Sequence, residues 1–177
     1  TGAATISQNL TVGSNQVNNG TCSSITGGND NDQCGACSII GSGYQNEITL
    51  GTSIAVIGGG QNNCIGAGAY GFIGAGRDNT ITGIFSCFSG IGAGYQNCIT
   101  SCFVTIGGGR TNKICGAYGF IGGGCENEVC NSEFYNTIGG GKSNVIDADC
   151  SAILGGSSNT VNHNNANIIG SDITSQG

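Results

Sequence analysis

The chain has 177 residues, of which 36 are Gly and none is Pro, Met or Trp, and only 8% are charged. A globular domain usually carries about 25% charged residues, a disordered chain combines low hydrophobicity with high net charge, and collagen needs Gly at every third position with abundant Pro. The composition fits none of these classes, and ten acidic against four basic residues argue against a surface that follows a nucleic-acid backbone.

Residues 1–24 are predicted to form the N-terminal capping coil of a repeat array. Within them, Leu10, Val12, Asn15 and Val17 form a degraded version of a pattern that is clear further along the chain. Terminal repeats of an array are commonly atypical, which explains why the pattern is weak here.

Residues 25–170 are predicted to be the repeat array, because isoleucine recurs through them at nearly even intervals. The steps between successive isoleucines are 15, 17, 16, 18, 15, 15, 17, 15 and 15 residues. Most of these isoleucines are the first residue of the phrase Ile-Gly-Gly-Gly-x-x-Asn-x-Ile. We call these residues the anchor isoleucines: Ile25, Ile40, Ile57, Ile73, Ile91, Ile106, Ile121, Ile138, Ile153 and Ile168. Residues 171–177 lack the pattern and are predicted to be a C-terminal tail or linker.

The length of the unit decides the class of repeat. Helical repeats need about 33 to 47 residues and propeller blades about 40 to 50, whereas 15 to 18 residues provide two short strands and two tight turns. The predicted fold is therefore all-β: a parallel β-solenoid, of the β-roll or β-helix kind, with about ten coils. At about 4.8 Å per coil, such a rod is roughly 50 Å long.

Three positions of each coil are predicted to face the interior. One is the anchor row, whose core ladder is Ile40, Ile57, Ile73, Ile91, Ile106, Ile121, Ile138 and Ile153. Eight residues after each anchor a second row holds Ile or Val, with Gln33 as the exception. Two residues before each anchor the residue is mostly small, and the two-residue period of a strand directs it to the same side as the anchor. The interior should therefore be narrow.

Asparagine recurs six residues after the anchors. Stacked along the rod, these amides are expected to hydrogen-bond to one another and to the backbone of the turns, which favour Asn. The alternative is a surface row that binds ions or water. The predicted Asn ladder comprises Asn31, Asn46, Asn63, Asn79, Asn97, Asn112, Asn127, Asn144 and Asn159, with Asn15 as its counterpart in the capping coil.

The residues three before the anchors are predicted to form a stripe on the outside of the rod. In five consecutive coils this position is aromatic, at Tyr70, Phe88, Phe103, Tyr118 and Tyr135. Large apolar patches on a protein surface usually mark an interface, so we expect this stripe to pack against other copies of the chain. The alternative is a carbohydrate platform, in which the rings stack on sugars.

The eleven cysteines include three pairs that are one coil apart: Cys22 with Cys37, Cys87 with Cys102, and Cys115 with Cys130. Neighbouring coils place Cα atoms about 4.8 Å apart, within the range of a disulfide. These pairs are candidate disulfides, and a ladder of free thiols is the alternative, because parallel neighbours are not aimed at each other.

No catalytic, cofactor or metal site is predicted. A single histidine and scattered carboxylates leave no positioned acid-base pair or nucleophile, and the turn around Asp30 and Asp32 has the character of a calcium-binding turn only once along the chain. No stretch approaches the roughly 18 apolar residues of a membrane span, so no membrane insertion is expected.

The repeats resemble a known class of fibre proteins. The phrases Phe72 to Ile81, Phe120 to Val129 and Ala152 to Val161 are similar to the Gly-Gly-Gly-x-x-Asn repeats of phage and giant-virus tail-fibre or surface-fibre proteins, and to the head repeats of trimeric bacterial adhesins. The resemblance implies a homotrimeric, non-enzymatic rod on a virion or cell surface, outside the cell, that presents or constitutes a surface for a glycan or protein receptor.

Two other functions remain open at this stage. A purely structural filament would add molecules end to end through the exposed edges of its terminal coils. An ice-binding solenoid would need a ladder of threonine in one row, and Thr82, Thr100, Thr105 and Thr137 are not expected to form one.

Overall fold

A computed structural model describes residues 10–66, 68–83, 88–130 and 134–175 of the chain. Within these residues it contains 23 two-residue strands and no helix. The strands of the first sheet are β1 (Leu10–Thr11), β3 (Ser24–Ile25), β5 (Ile39–Ile40), β8 (Val56–Ile57), β11 (Phe72–Ile73), β13 (Gly90–Ile91), β15 (Thr105–Ile106), β17 (Phe120–Ile121), β19 (Thr137–Ile138), β21 (Ala152–Ile153) and β23 (Asn167–Ile168). Those of the second sheet are β2 (Val17–Asn18), β4 (Asp32–Gln33), β6 (Glu47–Ile48), β9 (Cys64–Ile65), β12 (Thr80–Ile81), β14 (Cys98–Ile99), β16 (Lys113–Ile114), β18 (Glu128–Val129), β20 (Val145–Ile146) and β22 (Thr160–Val161). A short third sheet pairs β7 (Thr52–Ser53) with β10 (Gly68–Ala69).

The prediction of a parallel β-solenoid is confirmed. Every strand pairs in parallel with the equivalent strand one coil away, and the register places anchor on anchor, as in Ile73 with Ile91 and Ile91 with Ile106. The second sheet has the same regularity, since Ile99 is paired with Ile114. Successive coils therefore bring equivalent residues into straight rows along the rod.

Each coil turns at two residues whose backbone is left-handed. One lies three residues before the anchor and the other five residues after it, as in Phe103 (φ 57°) and Thr111 (φ 56°) of the coil around Ile106. The amide of Arg110 donates to Gly124 in the following coil, whereas the next amide, that of Thr111, donates to Tyr95 in the preceding coil. The amide of a left-handed residue such as Thr111 thus donates to the preceding coil, in the direction opposite to that of the amide before it.

The interior is built from the three predicted rows. The anchor isoleucines are at most 5% exposed, and the row eight residues further on is equally buried. The third row, two residues before the anchors, is mostly small, as in Ser38, Ala55 and Gly119. Among the polar side chains of these rows, two each leave one buried polar atom without a partner: Oε1 of Gln33 and Nδ2 of Asn136.

The described part of the capping coil differs from the prediction in one residue. Thr11 takes the anchor position and pairs with Ile25, only 14 residues away. Gln16, which is 15 residues before Asn31, aligns with it in place of the predicted Asn15, and its Oε1 accepts a hydrogen bond from the Asn31 amide at 2.9 Å. The longer side chain of glutamine reaches the place that asparagine occupies elsewhere. Residues 1–9 of the predicted capping coil lie outside the described residues.

The predicted C-terminal tail continues the array as far as it is described. The Asp172 amide donates to Ser157, the Thr160 amide donates to Ile173, and the Ile173 amide donates to Oδ1 of Asn159. Residues 171–175 therefore contact the last coil in the way that a further half-coil does. Residues 176 and 177 lie outside the described part of the chain.

Candidate functional site

The asparagine row forms a continuous ladder of hydrogen bonds. In a typical rung, Oδ1 of Asn112 accepts from both the amide and Nδ2 of Asn127, at 3.0 and 3.1 Å. Its Nδ2 donates to Asn97 Oδ1, to the Gly108 carbonyl in its own coil and to the Gly124 carbonyl in the next. All nine predicted members are buried. Since their polar atoms are satisfied within the chain, these asparagines stabilise the turns and are not exposed to an external ligand.

The five aromatic residues of the predicted stripe form what we call the aromatic ladder: Tyr70, Phe88, Phe103, Tyr118 and Tyr135. They are 44% to 62% exposed. Neighbouring rings stack face to face along the rod, with centroids 4.3, 5.5, 5.1 and 4.9 Å apart and interplanar angles of 2° to 17°. The faces of the inner rings are therefore covered by their neighbours, and their edges point away from the rod.

The backbone beneath the aromatic ladder is strained. All five residues have a positive φ, between 52° and 65°, a region that aromatic residues rarely adopt. This conformation costs about 1 kcal/mol or more per residue, while each stacked pair contributes about 0.5 to 1.5 kcal/mol. Stacking therefore offsets much of the cost of holding the rings in a single exposed row.

The outer face of the first sheet extends the apolar surface beside the aromatic ladder. Ile39, Phe72 and Phe120 project from it, one residue before their anchors, and are exposed. A Cβ added to Gly74 would lie 3.4 Å from the Phe72 ring, and one added to Gly122 would lie 3.5 Å from the Phe120 ring. Because these glycines have no side chain, the rings of Phe72 and Phe120 can lie against the outer face of the first sheet.

The outer face of the second sheet has the opposite character. Its row seven residues after the anchors includes Asp32, Glu47, Lys113 and Glu128. Lys113 Nζ lies 2.7 Å from Glu128 Oε1, and this hydrogen bond raises the pKa of the Lys113 ammonium. The outer face of the second sheet therefore carries charged side chains, whereas the described outer face of the first sheet carries none.

A further row lies on the turn that leads into the second sheet, four residues after the anchors. Bridges between successive coils place it in strict register, and we call it the turn row: Asn29, Tyr44, Gln61, Arg77, Tyr95, Arg110, Cys125, Lys142 and Ser157. The guanidinium of Arg77 lies 4.5 Å from the centre of the Tyr95 ring, and Arg110 Nη2 donates to Cys125 Sγ at 3.3 Å. The Arg110 contact raises the pKa of its guanidinium. Sequence analysis had not predicted either contact.

The structure has no disulfide at two of the three candidate pairs. Cys22, Cys37, Cys115 and Cys130 are free thiols, and Cys87 of the third pair lies outside the described residues. In-register residues of parallel strands project side by side, so their Cβ atoms are about 4.8 Å apart. The Cβ atoms of a disulfide are usually closer, about 3.8 Å apart. The coil spacing identified the neighbouring residues correctly, but the parallel direction of their side chains keeps the sulfurs apart.

Several thiols lie in surroundings that oppose ionisation. Burial, reinforced by Glu47, raises the pKa of Cys64 to about 11. Burial, reinforced by Glu128 and Asp147, raises the pKa of Cys130 to about 11 as well. A thiolate is the reactive form of cysteine, so these side chains are poor nucleophiles near neutral pH.

The described residues contain no group of three His, Cys, Asp or Glu side chains that could hold a metal ion. No helix long and apolar enough to cross a membrane occurs in that part of the chain. Neither a model of a known protein family nor a curated protein sequence matches this chain.

Proposed function

We propose that this chain is a rigid, non-enzymatic rod segment of a fibre or adhesin outside the cell, on a virion or cell surface. In this proposal three copies associate through the apolar face and expose the remaining rows to a receptor. The observation that carries it is the contrast between two sides of the coil: stacked aromatic rings are exposed on the turn before the first sheet, whereas the second sheet exposes charged residues. An apolar face of this extent is typical of a subunit interface.

The geometry of the rings favours a protein partner over a sugar. A sugar binds an aromatic side chain by lying on the face of its ring, but both faces of Phe88, Phe103 and Tyr118 are covered by neighbouring rings. What these residues expose is a continuous line of ring edges. Such a line buries apolar area efficiently against a second flat sheet, and an identical chain supplies one with the same coil spacing.

A rod of this kind acts through repetition. Its rows present equivalent positions once per coil, and a homotrimer would present each row three times. Weak contacts with a receptor would then add through an increased effective concentration, without a deep binding pocket. The turn row is the best candidate for these contacts, because it lies on the turn before the second sheet, whereas the aromatic ladder lies on the turn before the first.

Light scattering of the purified chain tests the assembly. The proposal expects a mass three times the 17.5 kDa of one chain. Phe88→Asn combined with Phe103→Asn should release monomers, because it removes apolar area at backbone positions where asparagine is well tolerated. The matched control is Gln96→Asn, at the left-handed residue of the opposite turn (φ 55°), which should stay trimeric.

Three other outcomes would overturn parts of the proposal. A monomer at high concentration would remove the assembly, and a dimer would remove the threefold arrangement. A mass that grows without limit as concentration rises would favour the structural filament.

The threonine row of an ice-binding face is interrupted in the structure. Thr82 and Thr100 do occupy equivalent positions in neighbouring coils, nine residues after their anchors, which the sequence prediction had missed. The same row continues with Cys115 and Cys130, however, and Phe120 separates Thr105 from Thr137 on the first sheet. No observation therefore favours ice binding.

A further inference from the structure

Three of the four cationic side chains of this protein lie in one row. Arg77, Arg110 and Lys142 all belong to the turn row, and each is exposed. They stand in alternate coils, with Tyr95 and Cys125 in the coils between them. The fourth cation, Lys113, lies on the outer face of the second sheet and is paired with Glu128.

The spacing of these cations follows from the fold. Coils of a parallel solenoid are about 4.8 Å apart, so cations in alternate coils are separated by about 10 Å along a line parallel to the rod axis. The row is continuous because every bridge along it joins equivalent positions of adjacent coils. The result is three positive charges at equal intervals over four coil steps.

Contacts within the row hold its two arginines in place. The Arg77 guanidinium stacks on Tyr95, and that of Arg110 donates to Cys125, so each arginine is directed along the row toward the next coil. Ordering a side chain before binding reduces the entropy that binding must remove. Tyr44 and Gln61 precede Arg77 in the row and are exposed, so they provide hydrogen-bonding groups in the same line.

Nearby carboxylates weaken this charge but do not cancel it. Asp78 lies 3.4 Å from Arg77, and Glu126 lies 3.6 Å from Arg110. The arginine side chain of each pair is more than half exposed, at 55% and 59%, and an anionic ligand can compete for such a guanidinium because exposed ion pairs are held weakly. Lys142 forms no ion pair within the described residues.

We propose that the turn row binds an extended acidic polysaccharide that runs parallel to the rod axis, with carboxylate or sulfate groups at Arg77, Arg110 and Lys142. A polysaccharide that carries an anionic group on every second sugar matches sparse, evenly spaced cations. Double-stranded DNA carries one charge per about 1.7 Å of its axis, which is far denser than this row can neutralise. The inference deepens the proposed function, since it names the class of receptor that the rod would bind.

The test compares two variants that each remove one positive charge from the same coil. Arg110→Gln acts in the turn row, and Lys113→Gln acts three residues away on the second sheet. Binding of each to hyaluronan, which carries one carboxylate on every second sugar, and to heparin, which carries anionic groups on nearly every sugar, is measured by calorimetry at low ionic strength. We expect Arg110→Gln to weaken binding about tenfold, the order of one charge-assisted hydrogen bond, and Lys113→Gln to weaken it less than twofold.

The remaining arms identify the ligand class and separate this inference from the assembly. Neutral dextran should not bind, and a single-stranded oligonucleotide should bind at least tenfold more weakly than hyaluronan. Equal losses in the two variants, equal affinity for the oligonucleotide, or no binding to either acidic polysaccharide would overturn the inference. Phe88→Asn with Phe103→Asn should keep the affinity of each chain for a short heparin oligosaccharide, because the aromatic ladder lies on the other turn. Loss of the trimer and loss of polysaccharide binding are therefore distinguishable.

Discussion

The ring of Phe103 lies parallel to the ring of Tyr118, with 5.1 Å between their centroids and 2° between their planes, and both residues have a φ of 57°. The same relationship recurs along the aromatic ladder, so each inner ring has two stacked neighbours. Residues at the end of the ladder have one stacked neighbour on the side toward its centre. This difference allows the contribution of stacking to be separated from that of backbone strain.

Phe103→Asn should destabilise the chain more than Tyr70→Asn does. The first change loses two stacked pairs, each worth about 0.5 to 1.5 kcal/mol, and regains about 1 kcal/mol of backbone strain. The second loses the single stacked pair with Phe88 and regains a similar amount, so its net effect should be near zero. Urea unfolding measures the free energy of unfolding of both variants, at protein concentrations too low for the chains to assemble. Equal effects from the two substitutions would contradict a stacking contribution.

Asn112→Asp should cost several kcal/mol. The substitution keeps the shape of the side chain but replaces Nδ2, which donates to Asn97, Gly108 and Gly124, by an oxygen that repels those three acceptors. Because burial and these oxygens favour the protonated acid, its pKa in the folded chain should rise above the unfolded value of about 3.9. The variant should therefore recover stability as the pH falls toward 4.

The control for this prediction makes the same chemical change on the surface. Gln61→Glu also converts an amide into a carboxylate, but at an exposed position of the turn row. It should change the free energy of unfolding by less than about 0.5 kcal/mol. Similar losses for Asn112→Asp and Gln61→Glu would mean that the Asn ladder contributes little beyond net charge.

Gly109→Ala and Gly108→Ala should differ sharply although the two residues are adjacent. A Cβ on Gly109 would lie 2.1 Å from the Gly124 carbonyl oxygen and 2.7 Å from Nδ2 of Asn112, and φ is 94°. A Cβ on Gly108 meets nothing closer than the Ala93 carbonyl oxygen at 3.4 Å. We expect a loss of more than about 3 kcal/mol for the first and a change within about 0.5 kcal/mol for the second. The urea midpoints of the two variants measure this difference. Similar midpoints would contradict the close approach of the Gly109 backbone to the Gly124 carbonyl oxygen.

The fold was predictable because every structural requirement repeats. The anchor row and the row eight residues after it each need an apolar residue in every coil. All ten anchors are isoleucine, and in the second of these rows the single exception, Gln33, does not hide the pattern. The first coil lacks that redundancy. Thr11 stands in place of the anchor, so no isoleucine fixed the count in this coil, and Asn15 was predicted for the place that Gln16, five residues after Thr11, takes in the structure.

The rows on the surface were harder to predict than the interior. Local preference argues against a left-handed backbone at Ile54 or Phe88, yet both residues adopt one because the stacking of coils fixes the turn. The sequence placed the aromatic residues on the outside, but only the three-dimensional structure shows that their faces cover one another. It also shows that Arg77 lies on Tyr95, since the direction of a long side chain is not encoded by its position in the repeat.

The thiols of Cys64 and Cys130 should react slowly with iodoacetamide in the folded chain. With a pKa of about 11, each holds a smaller fraction of thiolate at pH 8 than an unfolded cysteine, whose pKa is about 8.5, by roughly two orders of magnitude. Between about pH 9 and pH 11 the folded chain keeps protons on these thiols that the unfolded chain has released. Stability should therefore fall as the pH rises through this range.

Mass spectrometry of the alkylated chain, sampled over time at pH 8 and pH 10.5, measures the rate at each cysteine. The same chain in concentrated urea is the control, and there both residues should react at the rate of a free thiol. Rates at Cys64 and Cys130 that match this control while the chain is folded would contradict their burial. Protection that comes from the raised pKa should fade at pH 10.5, because a larger thiolate fraction increases the reaction rate at sites that the reagent reaches.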